Sequence, residues 1–270
     1  MNVVFIGGGN MADALIGGLL KSGIGASQIR AVEVDGAARR RLSDKYRIEC
    51  VASARGTIRA GEVVVFAVKP QQMKEAARLS GVKDNVNLVV SIAAGVTLAS
   101  VASWLGGHAK LVRAMPNTPA LIGAGVTGLY ALPGVSQAER KQAETILGAV
   151  GATVWIPDES LMDAVTAVSG SGPAYVFWFI EQLAAAGESL GLSQETSRKL
   201  AIETVLGSAK LAAQSADSAA VLRERVTSKG GTTEAALKAF EEQKLAERFL
   251  RAVEAARDRG AELGASLEKE

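Results

Sequence analysis

Short apolar runs alternate with helical segments through the first 157 residues, and this alternation constrains the fold more than any other feature. The series begins with the apolar run Val3–Ile6, a break at three glycines and a helical segment over Asn10–Ser22. The run Val63–Val68 is rich in β-branched residues, which is typical of a strand buried on both faces. Strands and helices alternating at this length predict a mostly parallel sheet with helices on both sides.

The remaining elements follow from the same periodicities. Strands are predicted at Ile29–Val34, Ile48–Val51, Leu88–Ser91, Lys110–Ala114, Val126–Ala131 and Thr153–Ile156. Helices are predicted at Ala37–Tyr46, Gln71–Leu79, Thr97–Leu105 and Ser136–Val150. After Pro157 the periodicity is helical only, so we predict an α/β fold with a Rossmann-type, doubly wound domain over residues 1–157 and an all-helical domain over residues 158–270. The tail after Gly260 is expected to be a fraying helix end.

One helix of the second domain is apolar on nearly every side. It covers Tyr175–Leu190 and contains five large apolar residues in succession, from Val176 to Ile180. Such a helix must be buried, and one small domain is not enough to bury it. We therefore expect the helical domain to form a subunit interface.

Composition and charge are those of a soluble globular protein. Hydrophobic residues make up 48%, charged residues 21%, and the formal net charge is +2, so nucleic acid and membrane surfaces are not expected partners. The basic cluster Arg39–Arg41 is expected on a solvated helix face. Cys50 is the single cysteine, which excludes an intrachain disulfide and fits a reducing compartment. Without a charged leader or an apolar window of about 18 residues, the chain is expected to be cytoplasmic, and we expect no metal site.

The first turn fits the dinucleotide-binding pattern G-x-G-x-x-G/A. It reads Gly7-Gly8-Gly9-Asn10-Met11-Ala12 and lies between a predicted strand and a predicted helix. Gly7 permits the turn, Gly9 lets a pyrophosphate approach the backbone, and Ala12 lets helix and strand pack closely. The pyrophosphate would bind at the helix start formed by Asn10 and Met11.

Acidic residues follow at the distance where this fold binds the adenosine ribose. Glu33 lies 21 positions after Ala12, at the end of the next predicted strand, and Asp35 also qualifies. A carboxylate accepts bonds from both ribose hydroxyls of NADH but repels the 2′-phosphate of NADPH. An arginine of the Arg39–Arg41 cluster would offset this repulsion if it reached back. The sequence predicts a dinucleotide site and leaves NADH and NADPH both open.

Three further loops follow strands at the sheet edge where such folds bind ligands. They are Ala67–Gln71, Ser91–Gly95 and Arg113–Pro119. Each is also compatible with an ordinary connection between a strand and a helix. The prolines after Lys69, Met115 and Thr118 stiffen the chain, as a platform for a nicotinamide ring requires. Lys69 is a candidate phosphate contact.

Residues 225–235 concentrate hydroxyl groups at a predicted helix start. The cluster consists of Thr227, Ser228, Gly230, Gly231, Thr232 and Thr233. Its two glycines expose bare backbone N–H groups, and its last two threonines open the helix. A helix start of this kind binds anions, which indicates a small polar ligand with a carboxylate. A capped helix start after a flexible turn would explain the glycines but not the whole cluster.

Together these motifs resemble those of the pyrroline-5-carboxylate reductases, the last enzymes of proline synthesis. The resemblance runs through the whole chain and is most specific at Ser169–Tyr175, which reads Ser-Gly-Ser-Gly-Pro-Ala-Tyr, and at Val226–Thr233. It implies an NAD(P)H-dependent reduction of 1-pyrroline-5-carboxylate to L-proline. It also implies an all-helical second domain that interlocks two subunits as a homodimer, with dimers often building a decamer.

The resemblance implies roles for individual residues. Together, the glycine turn, Glu33 and the three loops give the following cofactor-binding candidates: Gly7, Gly9, Asn10, Met11, Glu33, Ala67, Val68, Lys69, Pro70, Ile92, Ala93, Ala94, Met115, Pro116 and Asn117. The cluster from Thr227 to Thr233 is implied to hold the substrate carboxylate, and Thr233 matches a threonine that contacts the ring nitrogen. The chain departs from the family pattern where Lys229 replaces a proline, where Ser53-Ala54 replaces an asparagine, and at Glu33, where many relatives carry a neutral residue.

The residues suit reduction of an imine better than reduction of a ketone. A ketone develops alkoxide charge and calls for a positioned acid, whereas an imine can be protonated before the hydride arrives. The sole histidine, His108, lies in a Gly-rich loop outside every motif. Thr233 is the candidate donor, as a neutral hydroxyl that orients the substrate. The alternative for Thr233 is a helix-start residue with a local backbone bond.

Two other functions stay open on the sequence alone. A β-hydroxyacid dehydrogenase shares the glycine-turn domain followed by helices and uses a lysine of the second domain. Lys199 and Lys210 are available, but nothing around them resembles a site. A non-catalytic dinucleotide sensor is the other alternative, and the hydroxyl cluster argues against it because a sensor needs no second ligand pocket.

Overall fold

The computed structural model describes residues 1–82 and 87–269. Its strands are β1 (Val3–Ile6), β2 (Ile29–Val32), β3 (Glu49–Val51), β4 (Val63–Phe66), β5 (Val89–Ser91), β6 (Leu111–Met115), β7 (Gly125–Ala131) and β8 (Gly151–Trp155). Its helices are α1 (Asn10–Lys21), α2 (Gly36–Tyr46), α3 (Met73–Leu79), α4 (Leu98–Trp104), α5 (Gln137–Gly148), α6 (Met162–Val165), α7 (Gly172–Ser189), α8 (Gln194–Gln214), α9 (Ala219–Arg225), α10 (Thr232–Glu242) and α11 (Leu245–Lys269). Each strand and helix predicted before Pro157 is present, with ends that differ by a few residues.

The strands form one sheet in the order β3-β2-β1-β4-β5-β6-β7-β8. Neighbouring strands are parallel, except that β6 and β7 are antiparallel. The order reverses between β1 and β4, where Val3 pairs with Val63. Ligands of doubly wound sheets bind at the carboxyl ends of the strands beside such a reversal. The predicted α/β class with a mostly parallel sheet is confirmed.

The apolar residues of β1 alternate between two cores, one on each face of the sheet. Val3 and Phe5 enter the core that contains α1 and α5, whereas Val4 and Ile6 enter the core that contains α3 and α4. Because successive side chains of a strand point to opposite faces, a strand covered on both sides needs apolar residues at every position. This requirement explains the unbroken apolar runs of the sequence.

The chain forms two compact units, one of Met1–Ser171 with Ala256–Glu270 and one of Gly172–Ala255. The first unit therefore continues to Ser171, whereas the boundary predicted at residues 157 and 158 lies just after the last strand of the sheet. The reason is that helix α6 packs on the sheet after β8, where a Cβ on Gly128 would lie 2.6 Å from Val165 Cγ1.

The tail after Gly260 is not the frayed end that the sequence suggested. Helix α11 continues to Lys269, and Gly264 within it is buried. The part of α11 after Ala256 belongs to the unit that contains the sheet, and packing at Gly264 contributes to holding it there.

The second unit is helical, and its first helix is not buried within it. Phe177, Trp178 and Phe179 of α7 are exposed in the single chain, as expected of a helix that completes its burial in a subunit interface. Helix α8 packs closely on α7. A Cβ on Gly187 would lie 2.7 Å from Ser197 Oγ, so the contact between the helices leaves little room for a side chain at this position. Over the described ranges, no helix combines the length with the hydropathy that crossing a membrane requires.

Candidate active site

The turn after β1 leaves no space for a side chain at Gly7. This residue has a φ of +100°, and its N–H donates to the carbonyl oxygen of Val32 at 2.8 Å. A Cβ on Gly7 would lie 2.5 Å from the carbonyl oxygen of Ala67. Gly7 is therefore required both by its backbone conformation and by the close approach of the chain after β4.

Gly9 faces open space at the start of α1. It is the N-cap of this helix, and a Cβ built on it would meet nothing within 4 Å. The N–H groups of Asn10 and Met11 belong to the first turn of α1, where no intrahelical acceptor exists. Ala12 behind them is fully buried. Gly9 and Asn10 are exposed, so the turn has room for the pyrophosphate of the predicted dinucleotide.

The Glu33 side chain lies beside the glycine turn. Its Oε2 accepts a hydrogen bond from the N–H of Gly8 at 2.7 Å, and its Oε1 accepts one from the N–H of Asp35 at 2.8 Å. Each carboxylate oxygen has a second lone pair, so the group can still accept bonds from ribose hydroxyls. The structure thus brings together the two parts of the predicted nucleotide site.

Two arginines of α2 reach back to the same region. Arg39 donates to the carbonyl oxygen of Glu33 at 2.7 Å and to that of Val34 at 3.2 Å. Arg41 donates to the carbonyl oxygen of Gly8 at 3.0 Å. The Arg39–Arg41 cluster is therefore more than a solvated helix face, because two of its guanidinium groups place positive charge beside Glu33.

The loops after β4 and β5 lie at the same edge of the sheet as the glycine turn. The N–H of Ala67 donates to the carbonyl oxygen of Ile6 at 2.7 Å, and the N–H of Ile92 donates to that of Phe66 at 3.1 Å. Lys69 is exposed at this edge, as a contact to a bound phosphate requires. The candidates brought to this edge are Ala67, Val68, Lys69, Pro70, Ile92, Ala93 and Ala94.

Asn117 uses its side chain within the protein. Its Nδ2 donates to the carbonyl oxygen of Ser169 at 3.1 Å, and its Oδ1 accepts from the N–H of Val126 at 2.9 Å. These bonds hold the loop of Met115, Pro116 and Asn117 against the residues that precede α7. Asn117 therefore fixes the backbone of this loop, and its amide does not point freely toward a ligand.

Gly170 has a packing role that sequence analysis did not assign. A Cβ on Gly170 would lie 2.5 Å from Met115 Cε, so the Met115 side chain fills the space in front of it. Gly170 ends a π-helix over Thr166–Gly170, a conformation that is frequent at functional sites. Gly170 lies in the family motif that begins at Ser169, so the sequence marked it as a special position. Nothing in the motif identifies Met115 as the residue that packs against it.

Arg113 is a buried residue that connects two of the loops. Its Nη1 lies 3.2 Å from Glu159 Oε1, and its Nη2 lies 3.5 Å from Asp163 Oδ1. The same Glu159 oxygen accepts a bond from the N–H of Leu98 at 2.7 Å, at the start of α4. Arg113 thereby links β6, which ends at Met115, with the helix that follows the loop after β5.

The hydroxyl cluster of the second unit opens α10 at Thr232, as predicted. The N–H groups of its two glycines are not bare, however. Gly230 donates to Glu234 Oε2 at 2.6 Å, and Gly231 donates to the carbonyl oxygen of Ser228 at 3.0 Å. Glu234 reaches back over the helix start, as a glutamate in the first turn commonly does. These two amides are therefore already used within the turn.

The threonines of the cluster differ in their surroundings. Thr227 Oγ1 donates to the carbonyl oxygen of Arg223 at 2.7 Å, so its hydroxyl has a local backbone bond. Thr232 is exposed and Thr233 is half-buried, and both contribute first-turn N–H groups, which lack intrahelical acceptors. An anion at this helix start would bind these two amides.

Other reactive side chains lie outside these loops. His108 is buried with its Nε2 2.8 Å from the carbonyl oxygen of Asn87. Burial raises the pKa of the Cys50 thiol, which makes it a poor nucleophile. Lys199 and Lys210 are exposed on α8. None of these four residues lies in the loops after β1, β4, β5 and β6 or in the hydroxyl cluster that opens α10.

Two family descriptions match separate parts of the chain. Pyrroline-5-carboxylate reductase dimerisation matches residues 159–263. NADP oxidoreductase coenzyme F420-dependent matches residues 2–95, which contain the glycine turn and Glu33.

Similar proteins cover nearly the whole chain. A pyrroline-5-carboxylate reductase from Pseudomonas aeruginosa is 46% identical over 266 residues, which are 98% of this chain and 97% of that protein. The structure of a pyrroline-5-carboxylate reductase from Coxiella burnetii has a TM-score of 0.90 and 40% identity, and the match covers 97% of this chain and 98% of that one. The crystal structure of Plasmodium falciparum pyrroline carboxylate reductase with NADP bound has a TM-score of 0.83 and 28% identity, with 98% of each chain covered.

Proposed function

The chain belongs to the pyrroline-5-carboxylate reductase family, and we propose that it reduces 1-pyrroline-5-carboxylate to L-proline with NADH or NADPH, as the last step of proline biosynthesis. The observation that carries this proposal is the 46% identity to a curated member of the family along 98% of the chain. The geometry of the glycine turn and the chemistry of the hydroxyl cluster support it independently.

The cofactor half of the site is proposed to consist of the glycine turn and the three loops beside it. A bound NAD(P)H would supply the hydride from its nicotinamide C4. The N–H groups at the start of α1 would hold the pyrophosphate, because Gly9 and Asn10 are exposed and a Cβ on Gly9 would meet nothing within 4 Å. Glu33 would bind the ribose, and Lys69 would contact a phosphate. Met115, packed on Gly170, would support the nicotinamide ring.

The substrate half is proposed to be the hydroxyl cluster that opens α10. The first-turn amides of Thr232 and Thr233 would bind the substrate carboxylate, while Gly230 and Gly231 shape the turn. The exposed Lys229 adds a cation near this anion site. The Thr233 hydroxyl would bond to the ring nitrogen and orient the C=N carbon toward the hydride. As a neutral hydroxyl, it orients the substrate rather than acting as a strong acid.

The assembly is proposed to be an interlocked homodimer, with dimers building a decamer. The match to the dimerisation family over residues 159–263 supports a homo-oligomer, and the exposed apolar side chains of α7 supply an apolar surface. We further propose that the enzyme acts in the cytoplasm, where a protein with one cysteine needs no disulfide for stability.

The proposed reaction can be tested by following the absorbance of NADH and of NADPH after 1-pyrroline-5-carboxylate is added to the purified protein. We expect absorbance to fall with this substrate and to stay constant with a 3-keto acid. Oxidation of the cofactor by the 3-keto acid alone would instead support the β-hydroxyacid dehydrogenase alternative. Cofactor binding without turnover of either compound would support a non-catalytic sensor.

A further inference from the structure

The C-terminal part of α11 packs against the loop after β5. Gly264 is buried although it lies near the end of the chain, and it belongs to the same compact unit as the sheet. A Cβ built on Gly264 would lie 2.7 Å from the carbonyl oxygen of Gly95, and one built on Gly95 would lie 3.4 Å from the Gly264 Cα. The two backbones approach this closely because neither residue carries a side chain.

Gly260 lies one helical turn earlier on α11 and has different surroundings. A Cβ on Gly260 would lie 3.8 Å from Asp163 Oδ1, which is ordinary van der Waals contact. A methyl group therefore fits at position 260, whereas at position 264 it would collide with backbone. The requirement for glycine is specific to the contact with Gly95.

The loop after β5 is held at both of its ends. Gly95 adopts a φ of +75°, and its carbonyl oxygen faces Gly264. A few residues later, the N–H of Leu98 bonds to Glu159, which pairs with the buried Arg113. The segment between Ser91 and Gly95 is exposed at Ala94 and lies at the carboxyl edge of the sheet. A displacement of Gly95 would move this segment relative to the glycine turn.

We propose that Gly264 is a positioning residue for the nicotinamide cofactor, acting through Gly95 on the loop of Ile92, Ala93 and Ala94. This inference rests on the proposed function, because contact between that loop and the cofactor is part of it. The C-terminal part of α11 thereby has a role in the cofactor half of the site. A larger residue at position 264 would push the Gly95 carbonyl toward the loop and weaken cofactor binding.

The test compares Gly264→Ala with Gly260→Ala in the full-length protein. Both changes replace glycine by alanine within α11, so both increase helix propensity to a similar extent. We expect the Kd for NADPH and for NADH, measured by nicotinamide fluorescence without substrate, to rise about tenfold in Gly264→Ala because of overpacking. In Gly260→Ala we expect the Kd to stay within about twofold of the unsubstituted value.

Equal Kd values in the two variants would overturn the proposal. It would also be overturned if Gly264→Ala lowered the thermal midpoint and left the Kd unchanged, since the contact would then be structural only. If Gly264→Ala does not fold, hydrogen exchange in the unsubstituted protein replaces it. Peptides over residues 91–97 and 261–266 should then gain protection together when NADPH binds, and unchanged exchange over 261–266 would contradict the role.

The same experiment separates this inference from the proposed reaction. Cofactor binding is measured without an imino acid, so it does not depend on turnover. A protein that loses NADPH affinity in the Gly264→Ala form but reduces no 1-pyrroline-5-carboxylate would contradict the reaction and leave the positioning role intact. If the protein reduces the imino acid and the two variants have equal cofactor Kd values, the reaction is supported and the positioning role of Gly264 is contradicted.

Discussion

Glu33 combines a structural bond with a charge that we propose selects between cofactors. Its carboxylate joins the end of β2 to the glycine turn through the N–H of Gly8. The same charge disfavours a 2′-phosphate, whereas the guanidinium groups of Arg39 and Arg41 favour one. In the proposed site, cofactor preference is therefore the difference between two opposing electrostatic effects, and removing one of them should shift it.

We expect Glu33→Ser to raise the ratio of kcat/KM with NADPH to kcat/KM with NADH by about tenfold, because like-charge repulsion of the 2′-phosphate is removed. Steady-state rates with both cofactors measure this ratio. Asp35→Asn is a matched control, since it removes a nearby charge while asparagine can still cap α2 at the N–H of Ala38. An unchanged ratio in Glu33→Ser would show that this side chain does not face the ribose.

Thr233 is the residue on which the proposed substrate chemistry depends. We expect Thr233→Val to lower kcat/KM for the imino acid roughly ten- to hundredfold, because the ring nitrogen loses its hydrogen-bond partner. The KM for the cofactor should stay nearly the same. Thr233→Ser keeps the hydroxyl and should retain most of the activity. If valine and serine variants have equal kcat/KM, Thr233 takes no part in the mechanism.

At the scale of the element, the β1–α1 turn uses its glycines for different physical reasons. Gly7 is required by the fold, since both its φ and its distance to Ala67 exclude a side chain. Gly9 is not required by the fold, because the space in front of it is open and its φ of −72° suits any residue. The open space at Gly9 is instead where a ligand would lie.

This difference predicts that alanine at Gly7 lowers stability, whereas alanine at Gly9 weakens cofactor binding. Gly7→Ala should destabilise the protein by about 2–4 kcal/mol through strain and overpacking, measured by urea unfolding. Gly9→Ala should change the free energy of unfolding by less than about 0.5 kcal/mol and raise the KM for the cofactor about tenfold, because the methyl group occupies the space proposed for the pyrophosphate. A cofactor KM that is unaffected by Gly9→Ala would contradict the placement of the pyrophosphate.

For the whole molecule, we expect the burial of α7 to depend on a second copy of the chain. Trp178 is 57% exposed in the single chain, within the segment that matches the dimerisation family. Leaving a row of large apolar side chains in water is unfavourable. Assembly would bury these side chains, and the stability of the helical unit is then linked to protein concentration.

We expect Trp178→Glu to shift the protein toward the monomer, because a carboxylate without a partner is costly in an apolar interface. Light scattering after size-exclusion chromatography measures the mass of the assembly. Leu79→Glu is the matched control, since Leu79 is 64% exposed on α3 outside the dimerisation segment, and the assembly should keep its mass. An unchanged mass in Trp178→Glu would place the interface elsewhere.

The sequence alone was sufficient for the elements of the sheet and for the proximity of Glu33 to the glycine turn. The apolar runs and the glycine turn act over a few neighbouring residues, and the distance from Ala12 to Glu33 spans a single strand–helix–strand unit. The start of α10 at Thr232 was predicted for the same reason, because capping and glycine chemistry are local. Even the bond from Gly230 to Glu234 spans only four residues, although sequence analysis overlooked it.

Only the tertiary structure decided which distant residues share a contact. Arg113 with Glu159, Met115 with Gly170 and Gly95 with Gly264 each join segments whose separation carries no periodic signal. The structure also decided that the first unit continues to Ser171 and that the segment after Gly260 is part of α11 rather than a frayed end. Local propensity depends on neighbouring residues, whereas these contacts depend on how the whole chain fills space at close-packed density.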